Sequence, residues 1–574
     1  MQNRSIEAQF CVVGGGLSGL SAAVAAAREG IKTVLVHDRP VLGGNASSEI
    51  RMWICGARGK DCRETGIVEE ILLENRFCNP ERNLSRWDAV LYSVCRREKN
   101  LTTLLNTVCL EAKMDGSKIA AIRAYDSPAQ VWYDIKADCF ADCSGDSVLG
   151  VLSGADLRFG REARSEYSES IAPETADCKT MGASCLLQCR ECAEPHDFVA
   201  PEWAYKYEKP SDFQNRNPSL FGEQNFWWIE VGGNDDTLHN VENHRDELLK
   251  ITFGIFDYLK NSAETKEKYR NWTLDWVGFL PGKRESYRYV GDLVQNQNHV
   301  AAGGCFDDII AYGGWPMDDH NPEGFYHKGE PNINHPAPSP FGISYRTIYS
   351  RNIDNLFCAG RNISVTHSAL SSTRVMATCS TLGQAAGTAA ALAVKYGITP
   401  REVGQRHIAE LQNRLMANDC FLPGRRYLPS KVCREAEISC EGLRGGLNRA
   451  FKGVDESWSA KVGGSIEYRW KAPVSLKETR LTFDSDLNRY AMNVIVLHLL
   501  NNPQFCRTPE TLVKRFRLEY QEDGDAAWKT LCEYENNGQR FIRLPLNIAC
   551  VALRLTILET FGCETAKVFG WTVE

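Results

Sequence analysis

Residues 8–13 form an apolar run that ends in a cluster of glycines, residues 17–28 are rich in Ala and Leu and close near Gly30, and residues 33–37 are apolar again. Short apolar runs bounded by turn residues read as buried strands, and the Ala-rich stretch between them reads as a helix. This predicts a βαβ unit at the start of the chain, and with it a parallel sheet with a right-handed crossover. Residues 135–143 predict a further strand, and residues 374–396 a long helix stopped by Gly397. Between about 165 and 340 no period is sustained; Trp, Tyr, Pro, Asn and Gly abound, as expected of an irregular inserted domain that carries substrate contacts. After about residue 440 the pattern becomes short and alternating, at 465–470, 478–483, 493–499, 515–520, 540–544 and 551–558. Turn residues separate these segments, which predicts an antiparallel β-sandwich joined through a linker at 422–446.

The chain has 574 residues, room for three to four domains at ~150 residues each. Lys+Arg 66 against Asp+Glu 73 leave a formal charge of −7, which argues against a nucleic-acid partner held by bulk charge. No apolar run reaches the ~18 residues that would span a bilayer, and residues 1–7 lack the apolar core of a secretory signal. A cytoplasmic protein is expected. The 22 cysteines are spread through apolar stretches (Cys11, Cys109, Cys139, Cys358, Cys379), where a thiol acts as a small hydrophobe. Cys178, Cys185, Cys189 and Cys192 form the densest group, but no second Cys-x-x-Cys follows at zinc spacing, so no metal site is expected.

Gly14-Gly15-Gly16-Leu17-Ser18-Gly19 fits G-x-G-x-x-G between a predicted strand and a predicted helix. In that context Gly14 makes the tight turn, Gly16 lets backbone approach a pyrophosphate, and Gly19 lets helix pack on strand. The helix N-terminus then holds the anion. A ribose-binding carboxylate belongs at the end of the second strand, where His37 and Asp38 stand; either suits a ribose hydroxyl, and His37 suits packing at the strand edge equally well. Three features favour FAD over a bare nicotinamide. Arg39 to Asn45 place the pair Gly43-Gly44 just beyond the second strand. Asp142-Cys143-Ser144-Gly145-Asp146 follows a predicted strand as a second closing loop. Gly360 and Arg361 end another strand and lead to a helix opening Ser371-Ser372-Thr373-Arg374. The positive end of such a helix stabilises the negative charge of a reduced flavin.

The run Arg39-Pro40-Val41-Leu42-Gly43-Gly44-Asn45-Ala46-Ser47-Ser48-Glu49-Ile50-Arg51 resembles the hallmark of the bacterial FAD-dependent oxidoreductase family, related in fold to glutathione-reductase and fumarate-reductase type flavoproteins. The resemblance continues through residues 142–146, 160–166, 283–286 and 312–320, and is strongest over 359–368 and 383–387; it covers about 1–425. It implies FAD, bound by a Rossmann-like α/β domain assembled from 1–165 and 340–425, with 166–339 as an inserted α+β cap; the alternating pattern assigns 441–574 to the C-terminal sandwich. His37 departs from the acidic or amide residue commoner in the family, and the Cys-rich segment 185–192 is not a family feature. The sandwich resembles discoidin-like or carbohydrate-binding modules at Trp458, 466–470, 481–487 and 554–562. Covering the flavoprotein or building a homo-oligomer contact is an equally good role for it.

Oxidation of a hydroxyl-bearing carbon needs a base within hydrogen-bond reach, and histidine suits neutral pH. Of the eleven histidines, His320 follows Asp318-Asp319, His335 sits in a Pro-rich loop, and His367 precedes the helix expected to face the flavin. His367 is the first candidate; each of the three also reads as a surface or packed histidine. Glu49 and Arg51 follow the glycine pair, as pocket lining or as a buried pair. Arg284 and Arg374 suit a bidentate carboxylate clamp or ion pairs with acidic neighbours. Trp227, Trp228 and Trp315 suit stacking on sugar rings or core packing. The leading reading is an FAD-dependent dehydrogenase or oxidase acting on a hydroxyl of a small-molecule or oligosaccharide substrate, with a separate, unidentified electron acceptor. The alternatives are a fumarate-reductase-like reductase of an activated C=C, with Arg as proton donor, and a non-redox carbohydrate-binding or lyase protein on the same scaffold.

Overall fold

The computed structural model describes residues 2–220, 226–489, 507–524 and 527–574. Five short strands form an all-parallel sheet in the order Leu356–Cys358, Cys139–Asp142, Phe10–Val13, Thr33–Val36, Leu101–Leu104. Four of the five, all but the edge strand Leu101–Leu104, are buried along their whole length, which is why they read as unbroken apolar runs rather than as alternation. The helix Leu17–Arg28 crosses between Phe10–Val13 and Thr33–Val36 as expected.

Against it lies the helix Met376–Tyr396. Small residues let the two backbones meet: a Cβ on Gly383 would stand 1.9 Å from the Ser18 carbonyl oxygen, and one on Gly387 would stand 2.1 Å from that of Ala22. The Ser21 and Ser380 hydroxyls bond at 2.6 Å across the contact. The pairing of 18 with 383 and 22 with 387 makes the helices parallel, so both N-termini open on the same side.

Three local differences from the pattern reading have clear causes. The single strand expected at 135–143 is two, because the chain leaves one sheet after Val131–Lys136 and enters the next at Cys139–Asp142. That first sheet, ordered Gln2–Glu7, Val131–Lys136, Lys118–Asp126, Thr107–Asp115, begins with a strand that no periodicity announces, since all of it but Ile6 is exposed. The helix expected from 371 or 374 is also two, His367–Thr373 and Met376–Tyr396, broken where Val375 is extended (φ −67°, ψ 144°) and Arg374 turns back to the Asp318 carbonyl at 3.1 Å.

The region read as irregular holds the 21-residue helix Val241–Asn261. Its buried stripe of Leu248, Ile251, Ile255 and Leu259 is masked in sequence by Thr252 and Lys260, which are buried too. Lys260 is accommodated because its ammonium donates to the carbonyls of Tyr269, Arg270 and Trp272. This helix packs with Leu187–Glu191 and Trp272–Val277 in a core separate from that of the parallel sheet.

The C-terminal part is an antiparallel sandwich with its own core around Tyr468, Leu481, Phe516 and Trp571. Its six strands run Trp458–Lys461, Thr565–Val573, Ser465–Phe483, Phe541–Thr560, Val513–Gln521, Lys529–Tyr534. The segments expected at 465–470 and 478–483 are one strand with bulges after Arg469 and Leu476, and those at 540–544 and 551–558 merge into Phe541–Thr560. The bulges let a single strand bend around the core. The strand expected at 493–499 lies outside the described residues. Among the described residues no helix is long and apolar enough to cross a membrane.

Candidate active site

A cavity of about 470 Å³ opens at the C-terminal ends of the parallel strands and runs from Val13 and Val36 to the cap residues Trp227, Arg284, His320 and Asn332. Of the residues expected to bind cofactor, Gly14, Gly16, Leu17, Ser18, His37, Asp38, Arg39, Gly43, Gly44, Asn45, Ser144, Gly145, Asp146, Gly360 and Arg361 line it. Seven do not. Gly19 packs on the turn, where a Cβ would meet the Gly14 carbonyl oxygen at 1.8 Å. The Ala46 carbonyl accepts the Trp87 indole N–H at 2.7 Å, Ser47 is buried, and Ser48 N–H donates to Asp88. Arg51 turns away to stack on Trp276 at 4.0 Å. Ser372 donates to the Trp315 carbonyl and Thr373 is buried in the first of the two helices; the helix end at the cavity is formed by Val375 and Met376 instead.

At the strand end, His37 is buried and both ring nitrogens are engaged: Nδ1 accepts from Gly15 N–H at 3.0 Å, and Nε2 lies 3.0 Å from the Val41 carbonyl. Asp38, its side chain 59% exposed and one carboxylate oxygen 3.1 Å from His37 Nδ1, is the carboxylate at the rim. In the second loop, buried Asp142 accepts from the Ser144 amide and hydroxyl, the Leu149 amide and the Tyr289 hydroxyl. Burial pushes its pKa up despite those bonds. Asp146 lies between Arg361 at 2.7 Å and Lys283; burial opposes its charge, but these cations outweigh it and hold the pKa at about 2.

These surroundings fit FAD. Gly16 and Gly44 face each other so that a Cβ on Gly16 would meet only the Gly44 Cα, at 3.9 Å, and would project into the open cradle. The buried Ser18 hydroxyl on the cavity wall has no partner beyond the neighbouring Cys143 thiol. The first turns of the helices Leu17–Arg28 and Met376–Tyr396 both front the cavity, so two positive helix ends converge there.

At the cap end, the strand Met317–His320 decides which side chains reach the cavity. Asp318 and His320 lie on the cavity face; Asp319, one residue out of phase, points the other way. His320 is buried, its Nδ1 2.7 Å from Glu230 Oε2 and its Nε2 3.4 Å from Asp318 Oδ2. Arg284 is fixed by the Ser184 hydroxyl (2.9 Å), the Trp227 carbonyl (2.9 Å) and Glu230 (3.4 Å). Arg374 pairs with Asp318 at 3.3 Å. Burial opposes charge on Asp318 and Glu230, but His320 with Arg374, and Arg284 with His320, keep both carboxyls below their usual range.

His367 and His335 do not reach the cavity. His367 is buried behind the strand, with Nδ1 2.8 Å from Glu285 and Nε2 3.1 Å from Asp319. Burial disfavours its charge, yet Glu285 and Asp319 prevail and raise its pKa to about 10. Held as an imidazolium and turned away from the cavity, it is not placed to act as the expected base. His335 belongs to the strand Asn332–His335, whose Asn332 and Asn334 face the cavity, and alternation turns His335 to the other side. Trp227 and Trp315 line the cavity, while Trp228 stacks on Phe325 inside the cap.

Trp53, Cys55, Arg58, Glu230 and Met376 escaped the pattern reading. Glu230 follows the Trp227-Trp228 pair but meets His320 only through folding, 90 residues on. Cys185 and Cys189 are buried core residues, and among the described residues no group of His, Cys, Asp or Glu is placed to hold a metal.

Among solved structures, the C-terminal region is similar to the family 32 carbohydrate-binding module from Streptococcus pneumoniae EndoD (17% identity, 26% of this chain and 99% of that chain, TM-score 0.19). The larger part is similar to a geranylgeranyl bacteriochlorophyll reductase-like protein from Thermoplasma acidophilum (11% identity, 73% and 85%, TM-score 0.32). It is similar also to the quinol fumarate reductase FrdA of E. coli (12% identity, 72% and 75%, TM-score 0.28). No curated protein matches the chain. The model of the family described as FAD dependent oxidoreductase matches residues 9–415, a span that holds the parallel sheet, both helix N-termini and the cap end of the cavity. The chain belongs to the FAD-dependent oxidoreductase family.

Proposed function

We propose that this FAD-dependent oxidoreductase oxidises a hydroxyl-bearing carbon of a neutral, polyhydroxylated small molecule or oligosaccharide, with His320 as the base. The observation that carries the reading is the Glu230–His320 pair at the cap end of the cavity, 2.7 Å apart. FAD, when bound, supplies the two-electron acceptor. Glu230 takes the Nδ1–H of the imidazole, an assignment that follows from the hydrogen bond; the longer Nε2–Asp318 contact, 3.4 Å, gives way to the substrate hydroxyl, whose proton Nε2 accepts while Asp318 stays paired with Arg374. The imidazolium formed lies between two carboxylates, Glu230 and Asp318, each already matched by a guanidinium. Arg284 and Arg374 are each already paired with a carboxylate, which favours a neutral substrate between them over an acid. Trp227 and Trp315 supply apolar faces for a sugar ring, and Asn332 and Asn334 supply amides.

The test is the visible spectrum of the anaerobic holoenzyme before and after addition of sugars, glycosides and polyols. One class is expected to bleach the oxidised flavin band, and His320→Ala is expected to bleach about 10²–10⁴-fold more slowly with its FAD content intact. Full-rate bleaching by the variant would remove His320 from the role. The buried Nε of Arg374, which has no partner, favours one second reading, reduction of an activated C=C with Arg374 as proton donor. Rapid reoxidation of the reduced enzyme by an unsaturated acid, with no bleaching by any polyol, would establish that reading.

A further inference from the structure

Residues 51–66 bring Trp53, Cys55 and Arg58 to the cavity, yet they form neither helix nor strand, so their backbone must be held by groups from elsewhere. One of those groups comes from the C-terminal part of the chain. Arg449, 2% exposed, donates through Nη1 to the carbonyls of Arg63 (2.9 Å) and Asp61 (3.3 Å), and through Nη2 to the Thr65 hydroxyl (2.6 Å). Its guanidinium lies over the Phe421 ring at 4.3 Å. The Arg63 carbonyl also accepts the Tyr312 hydroxyl at 2.7 Å, and Arg449 Nη1 reaches that hydroxyl oxygen at 3.4 Å.

Tyr312 belongs to the strand Ile309–Gly313, which leads directly into Trp315 and then Asp318 and His320. At the other end of the same wall, Arg58 N–H donates to the Gly314 carbonyl at 3.1 Å and its guanidinium stacks on Trp315 at 4.0 Å. The loop and the strand are therefore tied twice, once at the cavity by Arg58 and once behind it by the Tyr312–Arg63 bond that Arg449 braces. Asn448, adjacent to Arg449, is anchored on the sandwich through Arg540, whose Nη1 donates to the Phe483 carbonyl at 3.0 Å and whose Nη2 donates to the Asn448 carbonyl.

We propose that Arg449 is a positioning residue, through which the sandwich sets the Arg58–Trp315 wall of the redox cavity. This rests on the cavity being the redox site, as proposed above. A fork of planar donors satisfies two carbonyls and two hydroxyl oxygens at once, and an ammonium cannot reproduce that geometry. The sandwich is then part of the site's construction, whatever else it binds.

The test uses the full chain as holoenzyme, with Arg449→Met and the milder Arg449→Lys. Trypsin has cleavage sites at Arg58, Lys60 and Arg63 on the tied loop, and mass spectrometry of the fragments reads them individually. Cleavage at these sites is expected to speed up at least tenfold in Arg449→Met, with the pattern elsewhere unchanged apart from the site removed at 449, bound FAD retained and Tm within a few degrees of wild type. With a bleaching substrate in hand, KM is expected to rise about tenfold with kcat within threefold. Unchanged loop cleavage overturns the proposal, and so does cleavage accelerated equally at all sites, which would mark Arg449 as a general stability residue. If Arg449→Met does not fold, Arg449→Lys is read by the same criteria. Proteolysis and FAD retention do not depend on turnover, so a failed search for the substrate leaves this test standing.

Discussion

A single residue's phase on one strand separates the histidine that reaches the cavity from the one that does not. Along Met317–His320 the alternation sends Asp318 and His320 forward and Asp319 back to His367. Proximity in sequence to the flavin-facing helix favours His367, and only the three-dimensional neighbours Glu285 and Asp319 reveal it as a fixed cation. The consequence is measurable as a pH dependence of stability. The pKa of about 10 in the fold, against 6.5 in the unfolded chain, stabilises the folded state by ~5 kcal/mol. Because the folded value is the higher one, this contribution is complete below pH 6.5 and disappears as pH rises towards 10. The stability gap between wild type and His367→Gln, from urea unfolding, is therefore expected to shrink steadily across that window. A gap that stays constant from pH 6.5 to 10 would show that His367 is not held as an imidazolium.

At the scale of elements, the strand–turn–helix unit at the N-terminus was legible because its chemistry and its packing demand the same residues. The two glycines of that turn nevertheless do different work. Gly14 has φ +104° and a Cβ there would stand 2.4 Å from the Cys143 carbonyl, whereas Gly16 has φ −63° and open space on its cavity side. Gly14→Ala is expected to lower the stability of the apoprotein by 1–3 kcal/mol or more. Gly16→Ala is expected to leave apoprotein Tm nearly unchanged while weakening FAD binding at least tenfold, read by fluorescence titration. Equal effects of the two on apoprotein Tm would contradict the separation of roles. Other elements were not legible, for physical reasons. The break at Val375 goes with Arg374 reaching the Asp318 carbonyl, a contact 56 residues away in sequence. The long strands Ser465–Phe483 and Phe541–Thr560 look like four short ones because bulges interrupt their alternation. The cap helix is hidden by a lysine that only tertiary carbonyls can satisfy.

Across the whole molecule, the boundary between the flavin-binding part and the sandwich holds charges that each part would leave unmatched alone. Glu69, 1% exposed on the helix Ile67–Cys78, meets Arg489 at 2.7 Å, the Arg489 side chain being 6% exposed, and accepts the Ser485 hydroxyl at 2.6 Å. Burial resists the charge on Glu69, but Arg489 overcomes it and lowers the pKa below the usual carboxylate value. A low folded pKa means that this stabilisation is present above about pH 4.5 and fades as acid protonates Glu69. A buried pair of this kind costs about as much to desolvate as it returns, yet removing one partner costs ~3–5 kcal/mol because it strands the other charge. Arg489→Met and Glu69→Leu are thus each expected to destabilise the full chain strongly, and the double variant Glu69→Leu/Arg489→Met is expected to recover most of the loss. Calorimetry should then show one cooperative transition for the wild type, with a separate early transition of the sandwich in either single variant. If the two single costs simply add in the double variant, the pair does not couple the two parts, and the sandwich would have to be treated as an appended module rather than as a wall of the site.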